Sequence, residues 1–223
     1  MRPRLLDLFA GAGGCSVGYE RAGFEVVGVD NEPHPDYPFR FVLADALDVL
    51  SDGEFLNTFD VVHASPPCQA YSDLHHLSDA AHPDLVAPVR DALRAWGGLY
   101  VIENVEGSPL AGALTLCGSE FDLWADCGDG VRRQLRRHRL FESNAWLMGA
   151  GGCMHRGQPI GVYGTGGGGQ MTRGYKGNLT ESRQATGAYW MNRSDVSQCV
   201  PPAYTEHIGS QLLATIEEAR DAA

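Results

Sequence analysis

An α/β domain built on a mostly parallel sheet is the architecture this sequence predicts, on three observations. Short apolar runs of strand length recur through the first half, each ended by glycine or a polar residue. Helical spacing and a glycine turn lie between them, as alternating strands and helices require. No apolar run approaches the ~18 residues of a membrane span, so the apolar residues, 43% of the 223, are available for a core.

The elements follow in order. Leu5 to Phe9 is an apolar run holding one acid, Asp7, and it stops at Gly11-Ala12-Gly13-Gly14; this predicts a buried strand, a turn and a helix over about 15–22. Phe24 to Val29 is a second strand, closed by Asp30, and Phe39 to Leu43 a third, closed by Ala44-Asp45. Phe59 to His63 and Leu99 to Ile102 are the fourth and fifth, and apolar residues at 85, 86, 89, 92, 93 and 96 mark a helix between them. From about 142 to 178 glycines crowd out apolar anchors, which predicts an exposed, mobile insert; from Pro201 a C-terminal helix resumes. The expected division is therefore 1–141, an insert at 142–178, and a segment 179–223 that returns to the first part.

Charge is unevenly spread. The chain carries −11 overall, yet residues 131–193 hold ten Lys/Arg against two acids. Such a segment is either a face offered to a polyanion or a solvated surface. The six cysteines (15, 68, 117, 127, 153 and 199) are scattered, with no CxxC pair, which suggests a reducing compartment. Cys153-x-His155 supplies two potential metal ligands without a partner pair, and no metal site is expected.

In parallel sheets ligands bind beyond the carboxyl ends of the strands, where Gly11, Asp30, Asp45, Ser65 to Cys68 and Glu103 all fall. Glycines at a strand-to-helix turn let backbone N–H groups approach a carboxylate or phosphate, and Asp30 suits ribose hydroxyls. Together they favour an adenosine-bearing cofactor. In Ser65-Pro66-Pro67-Cys68-Gln69 two prolines stiffen the rim and present a thiol, a candidate nucleophile. Glu103 ends the next strand; a carboxyl group in a partly apolar cleft keeps its proton and can act as general acid. Strand alternation would send Arg137 and Arg139 to one face, where buried arginines need acceptors.

This set of motifs resembles the C5-cytosine DNA methyltransferases, and more narrowly small phage-encoded DNA methylases. DLFAGAGG (7–14) is similar to the family's S-adenosylmethionine loop, SPPCQ to its nucleophile loop, ENV (103–105) to its glutamate motif and Arg137-x-Arg139 to its arginine motif. Leu179 to Met191 and Val200-Pro201-Pro202 are similar to the stretch before the last motif and to the last motif itself. Two departures stand out: Leu135 occupies the usual glutamine position, with Gln134 one place off, and Gln198 stands where an asparagine is usual. The resemblance implies a Rossmann-like, class I S-adenosylmethionine-dependent fold, with the small glycine-rich insert in place of a full target-recognition domain. It implies Cys68, Glu103, Arg139 and Arg137 as catalytic, and Asp7, Phe9, Gly11, Gly13, Gly14, Asp30, Asp45 and Pro67 as cofactor-binding. The substrate implied is DNA with its target cytosine flipped out.

Phosphate contacts are then expected from Arg132, Arg133, Arg156, Arg173 and Lys176, with short or relaxed sequence specificity. No membrane and no obligate protein partner are expected, and the setting is the cytoplasm of a bacterium or phage-infected host. Two other readings remain open: the same chemistry on cytosine in RNA or a free nucleotide, and a non-catalytic module that binds cofactor or DNA.

Overall fold

The computed structural model describes residues 2–67, 84–164, 169–171 (backbone only) and 174–222. Five strands run parallel: β1 (Arg4–Leu8), β2 (Glu25–Asp30), β3 (Arg40–Leu43), β4 (Val61–Ala64) and β5 (Leu99–Asn104). These match the five apolar runs. β6 (Leu114–Leu116) and β9 (Arg139–Ser143) complete a seven-stranded sheet of order β3-β2-β1-β4-β5-β9-β6, with β9 antiparallel to both neighbours.

Adjacent residues of each strand feed opposite cores, as the period of two requires. Leu5, Val26, Val61 and Val101 pack beneath α1 (Gly14–Ala22) and α7 (Pro202–Asp221), against Tyr19, Tyr204, Ile208 and Leu212. Leu6, Val27, Val62 and Ile102 face the other way, toward α2 (Ala46–Ser51), α3 (Gly53–Leu56) and α4 (Val86–Trp96). With both faces covered, the strands tolerate few polar residues, which is why they read as continuous apolar runs. Among the described residues no helix is long and apolar enough to cross a membrane.

A third core uses the few apolar anchors of the glycine-rich stretch. β7 (Trp124–Asp126) pairs with β8 (Arg132–Gln134), and β10 (Ile160–Gly161), β11 (Gly169–Met171) and β12 (Gly174–Lys176) form a small sheet. Ile160, Val162 and Tyr175 are buried with Ala12, Ala125 and Leu135, and with Ala185 of α5 (Leu179–Thr186) and Val196 of α6 (Arg193–Gln198). Each anchor stands alone between glycines, so no periodicity betrays it. The segment 151–158 is exposed, as expected.

The closest approach in the fold is between α1 and α7. A β-carbon on Gly18 would lie 2.0 Å from Thr205 Oγ1 and 2.1 Å from Pro202 O. Backbone cannot give way cheaply, so Gly18→Ala should destabilise the chain by about 1–3 kcal/mol. Urea denaturation should show a lower midpoint with an unchanged slope; an unaltered midpoint would mean that the helices part freely.

Candidate active site

The strand order reverses between β1 and β4, so the crevice at their carboxyl ends is the natural ligand site. On one side of it β1 runs into a tight loop with Phe9, Gly11 and Gly13 at φ +59°, +49° and +84°. A side chain is strained there, and the space above Gly11 is open. Gly11 N–H donates to Asp30 Oδ2 at 2.9 Å and Glu32 N–H to Oδ1 at 3.1 Å, fixing the carboxylate at the end of β2. Each oxygen keeps a further lone pair. Gly14 is required for a different reason: a β-carbon there would meet Val200 O at 2.5 Å. Asp45 is exposed at the end of β3 and caps α2 by accepting from Leu47 N–H at 2.8 Å.

Asp7 lies beneath this loop, fully buried. Ser16 Oγ donates to its Oδ2, while its Oδ1 has no hydrogen-bond partner. Burial pushes its carboxyl up to about 7, against the Ser16 hydrogen bond and with the help of Asp30 and Glu103.

The other side of the crevice is the chain leaving β4. Ser65 N–H donates to Leu8 O at 3.1 Å, and Asn104 Nδ2 donates to Pro66 O at 2.9 Å, so this loop is tied to both β1 and β5. Pro67 is half-buried and is the last described residue of the loop; Cys68 lies outside the described residues. Glu103 is buried at the end of β5, and Arg139 Nε stands 3.0 Å from its Oε1. Burial raises the Glu103 carboxyl above the usual range; Arg139, a hydrogen bond from Ser65 and Arg137 oppose the shift. The structure therefore brings Glu103 and Arg139 together at the rim beside Pro66.

Sequence reasoning missed the support under this pair. His63 accepts or donates at both ring nitrogens, with Tyr19 OH 2.9 Å from Nδ1 and Ser65 Oγ 2.9 Å from Nε2. Burial drives its pKa down to about 3, so the ring is neutral and acts as a spacer that aims Ser65. A histidine inside an otherwise apolar strand was the available signal.

Arg137 differs from what alternation predicts. It precedes β9, so the period of two does not apply. Its buried guanidinium donates to the carbonyls of Cys199, Val162 and, at 2.8 Å, Ser197, which is a positioning arrangement. Two residues expected on phosphate are also interior. Arg133 is buried, bidentate to Asp129 at 2.6 and 2.7 Å and stacked over Tyr175. Lys176 is buried near the Tyr163 ring. Arg132 and Arg156 are exposed, and Arg173 lies outside the described residues. The fold uses part of the basic segment to build its third core.

Residues 3–107 match the model of the C-5 cytosine-specific DNA methylases. Over these residues, a little under half of the chain, the protein is similar to that family. The matched residues include the glycine loop, Asp30, Asp45, Cys68 and Glu103; Arg139 lies beyond them. Among curated relatives, the type II methyltransferase M1.HphI of Haemophilus parahaemolyticus is 42% identical over 79 residues, which is 30% of this chain and 21% of that protein. The type II methyltransferase M.XorII of Xanthomonas oryzae is 35% identical over 122 residues, 48% of this chain and 29% of that protein. The chain thus spans less than a third of the length of these relatives. Of solved structures, the Entamoeba histolytica methyltransferase EhMeth is similar at 18% identity with a TM-score of 0.45, covering 66% of this chain and 56% of that one.

The buried acid Asp7 gives a test by pH. A carboxyl group whose native pKa lies near 7 and whose unfolded pKa lies near 3.8 favours the folded state fully only below about 4. That contribution is lost as pH rises to about 7. Asp7→Asn keeps an acceptor for Ser16 and cannot ionise. Its stability relative to the wild type should therefore rise by roughly 2–4 kcal/mol between pH 4 and pH 8, measured by urea unfolding. A difference independent of pH would mean that Asp7 is ionised throughout.

Proposed function

We propose that this chain is a DNA (cytosine-5-)-methyltransferase that takes its methyl group from S-adenosylmethionine, acts through a covalent bond from Cys68 to C6 of the base, and has short or relaxed sequence specificity. The observation that carries the reading is Glu103, buried with a raised pKa, 3.0 Å from Arg139 and joined through Asn104 to the loop that leads into Cys68.

The residues fit the cofactor. Asp30 is anchored by backbone and retains lone pairs for two ribose hydroxyls, and the open space over Gly11 admits a ligand close to the main chain. The unpartnered Oδ1 of Asp7 leaves a polar group behind the loop. Phe9, Gly13, Gly14, Asp45 and Pro67 would complete the site. When bound, S-adenosylmethionine supplies an electrophilic methyl group on a sulfonium.

Cytosine C5 is a weak nucleophile. The Cys68 thiolate forms a bond to C6, and the electron pair of the C5–C6 double bond moves toward C5 and the ring nitrogen. Glu103, whose carboxyl burial raises above its ordinary range, delivers a proton to N3 and offsets the charge that develops there. Arg139 holds the base through its O2 and orients Glu103 through the ion pair. C5 is methylated, gives up its proton, and the C6–S bond breaks to return the thiolate. A base inside a duplex is out of reach of these groups, so it must be flipped out. Arg132, Arg156 and Arg173 supply phosphate contacts, and the exposed part of the insert lies over the DNA.

The decisive measurement is mass spectrometry of nucleosides after incubation of the purified chain with duplex DNA, RNA and deoxycytidine monophosphate; 5-methyldeoxycytidine from DNA alone is expected. Cys68→Ala should abolish product while calorimetry still detects S-adenosylhomocysteine binding. DNA containing 5-fluorocytosine should trap a complex that survives denaturation, since the fluorine cannot leave as a proton. Methylation by Cys68→Ala at the wild-type rate would overturn the covalent route.

Asp30→Ala should weaken cofactor binding by about 1–3 kcal/mol, the scale of hydrogen bonds to a charged acceptor. Turnover at saturating cofactor should change little. An unchanged dissociation constant would remove Asp30 from the site.

A further inference from the structure

We propose that Cys117, His138, Cys153 and His155 form a zinc site that clamps the exposed segment 149–157 to the catalytic sheet. One ligand atom from each of the four lies within 4.8 Å of those of the others, and Cys117 Sγ is 3.3 Å from His155 Nε2. A tetrahedral zinc with two sulfur and two nitrogen ligands holds them about 3.3–3.8 Å apart. The cluster therefore needs at most about an ångström of closure. Two thiolates and two neutral imidazoles cancel the charge of the ion, and this ligand set suits zinc better than magnesium or calcium.

The surroundings favour a metal over a chance meeting of side chains. Leu147 is the last apolar side chain packed on the sheet before Cys153 and His155; Met148 and Met154 are 61% and 63% exposed. Gly151, Gly152 and Gly157 all have positive φ, so the unfolded loop has much backbone freedom to lose. Segments that cannot bury a core of their own are commonly stapled by a metal or a disulfide. The partner groups are also present. Ser119 Oγ donates to Cys117 Sγ at 3.2 Å, and Glu106 stands 3.3 Å from His138 Nδ1, where a carboxylate can orient the ring. Buried Gln134 holds both sides of His155, donating to Met154 O at 3.1 Å and accepting from Arg156 N–H at 3.2 Å.

Four protein ligands leave no position for water, so the ion is structural. His138 lies between Arg137 and Arg139, so the metal fixes the start of β9, where Arg139 meets Glu103. It also fixes exposed Arg156 on the same side. Only Cys153-x-His155 is local in sequence; Cys117 and His138 arrive from elements far away.

The test uses the full chain without a polyhistidine tag, purified with a thiol reductant. Elemental analysis should find about one zinc per chain. Cobalt should replace it with the visible bands of a tetrahedral thiolate site. Cys153→Ser, at an exposed position, should fold normally and lose the metal. Chelation should speed tryptic cleavage after Arg156 by about tenfold or more in the wild type and not in the variant. Reduced protein that carries no zinc and gives no cobalt bands overturns the proposal. So does zinc retained by the Cys117→Ser/Cys153→Ser double variant, or a Cys117–Cys153 disulfide as the form isolated without reductant. None of these readouts depends on methylation, so the zinc site and the proposed reaction can fail separately.

Discussion

One buried guanidinium joins the parts of this molecule. Arg137 donates to carbonyls at Val162, Ser197 and Cys199, and its own carbonyl accepts from Tyr204 OH at 2.5 Å. Burial, with Arg139 as a like charge beside it, lowers its pKa to about 10, so it remains charged at neutral pH. No carboxylate faces it in these contacts. The desolvation of a cation is offset by charge-assisted bonds to main-chain oxygens, each on a segment that otherwise has no reason to stop where it does. The small sheet, the lead-in to α7 and the start of β9 are held in register by this one side chain. Arg139 takes its position against Glu103 from that register.

The crevice is a region of low polarity with its acids kept close. Asp30 and Glu103 add to the burial that raises Asp7, against the Ser16 hydrogen bond, while Arg139, Ser65 and Arg137 oppose the burial that raises Glu103. Neutral His63 lets the chain from Tyr19 to Ser65 run through the sheet without adding charge. The result is one acid at the rim and a second beneath it, both raised above their ordinary range. Such a pair needs an enclosed setting, and the third core, packed against Ala12, helps to enclose it.

What the sequence revealed was local. β1 to β5 could be read because strands buried on both faces must be apolar, and their ends could be read because a rim must turn. The order of the glycine loop, Cys68, Glu103 and Arg139 was visible as motifs. What escaped depends on residues that meet only after folding. Arg133 and Lys176 look like surface cations until Asp129, Tyr175 and Tyr163 are seen around them. Ile160, Val162 and Tyr175 look like strays among glycines until α5 and α6 cover them. Cys117 and His138 have no pattern in common with Cys153 and His155.

The glycine loop after β1 is synthesised well before its supports, which come from the far end of the described residues. Trp190 Nε1 donates to Ala12 O at 2.8 Å, Thr205 Oγ1 donates to Cys15 O at 2.8 Å, and Val200 presses on Gly14. A ribosome adding a few to some twenty residues per second delivers these partners on the order of ten seconds or more after the loop emerges. During that interval the five-stranded half can pair its strands, but the loop has neither its backing nor its lid. The nascent chain is thus kept from assembling its ligand crevice until Trp190, Val200 and Thr205 have emerged.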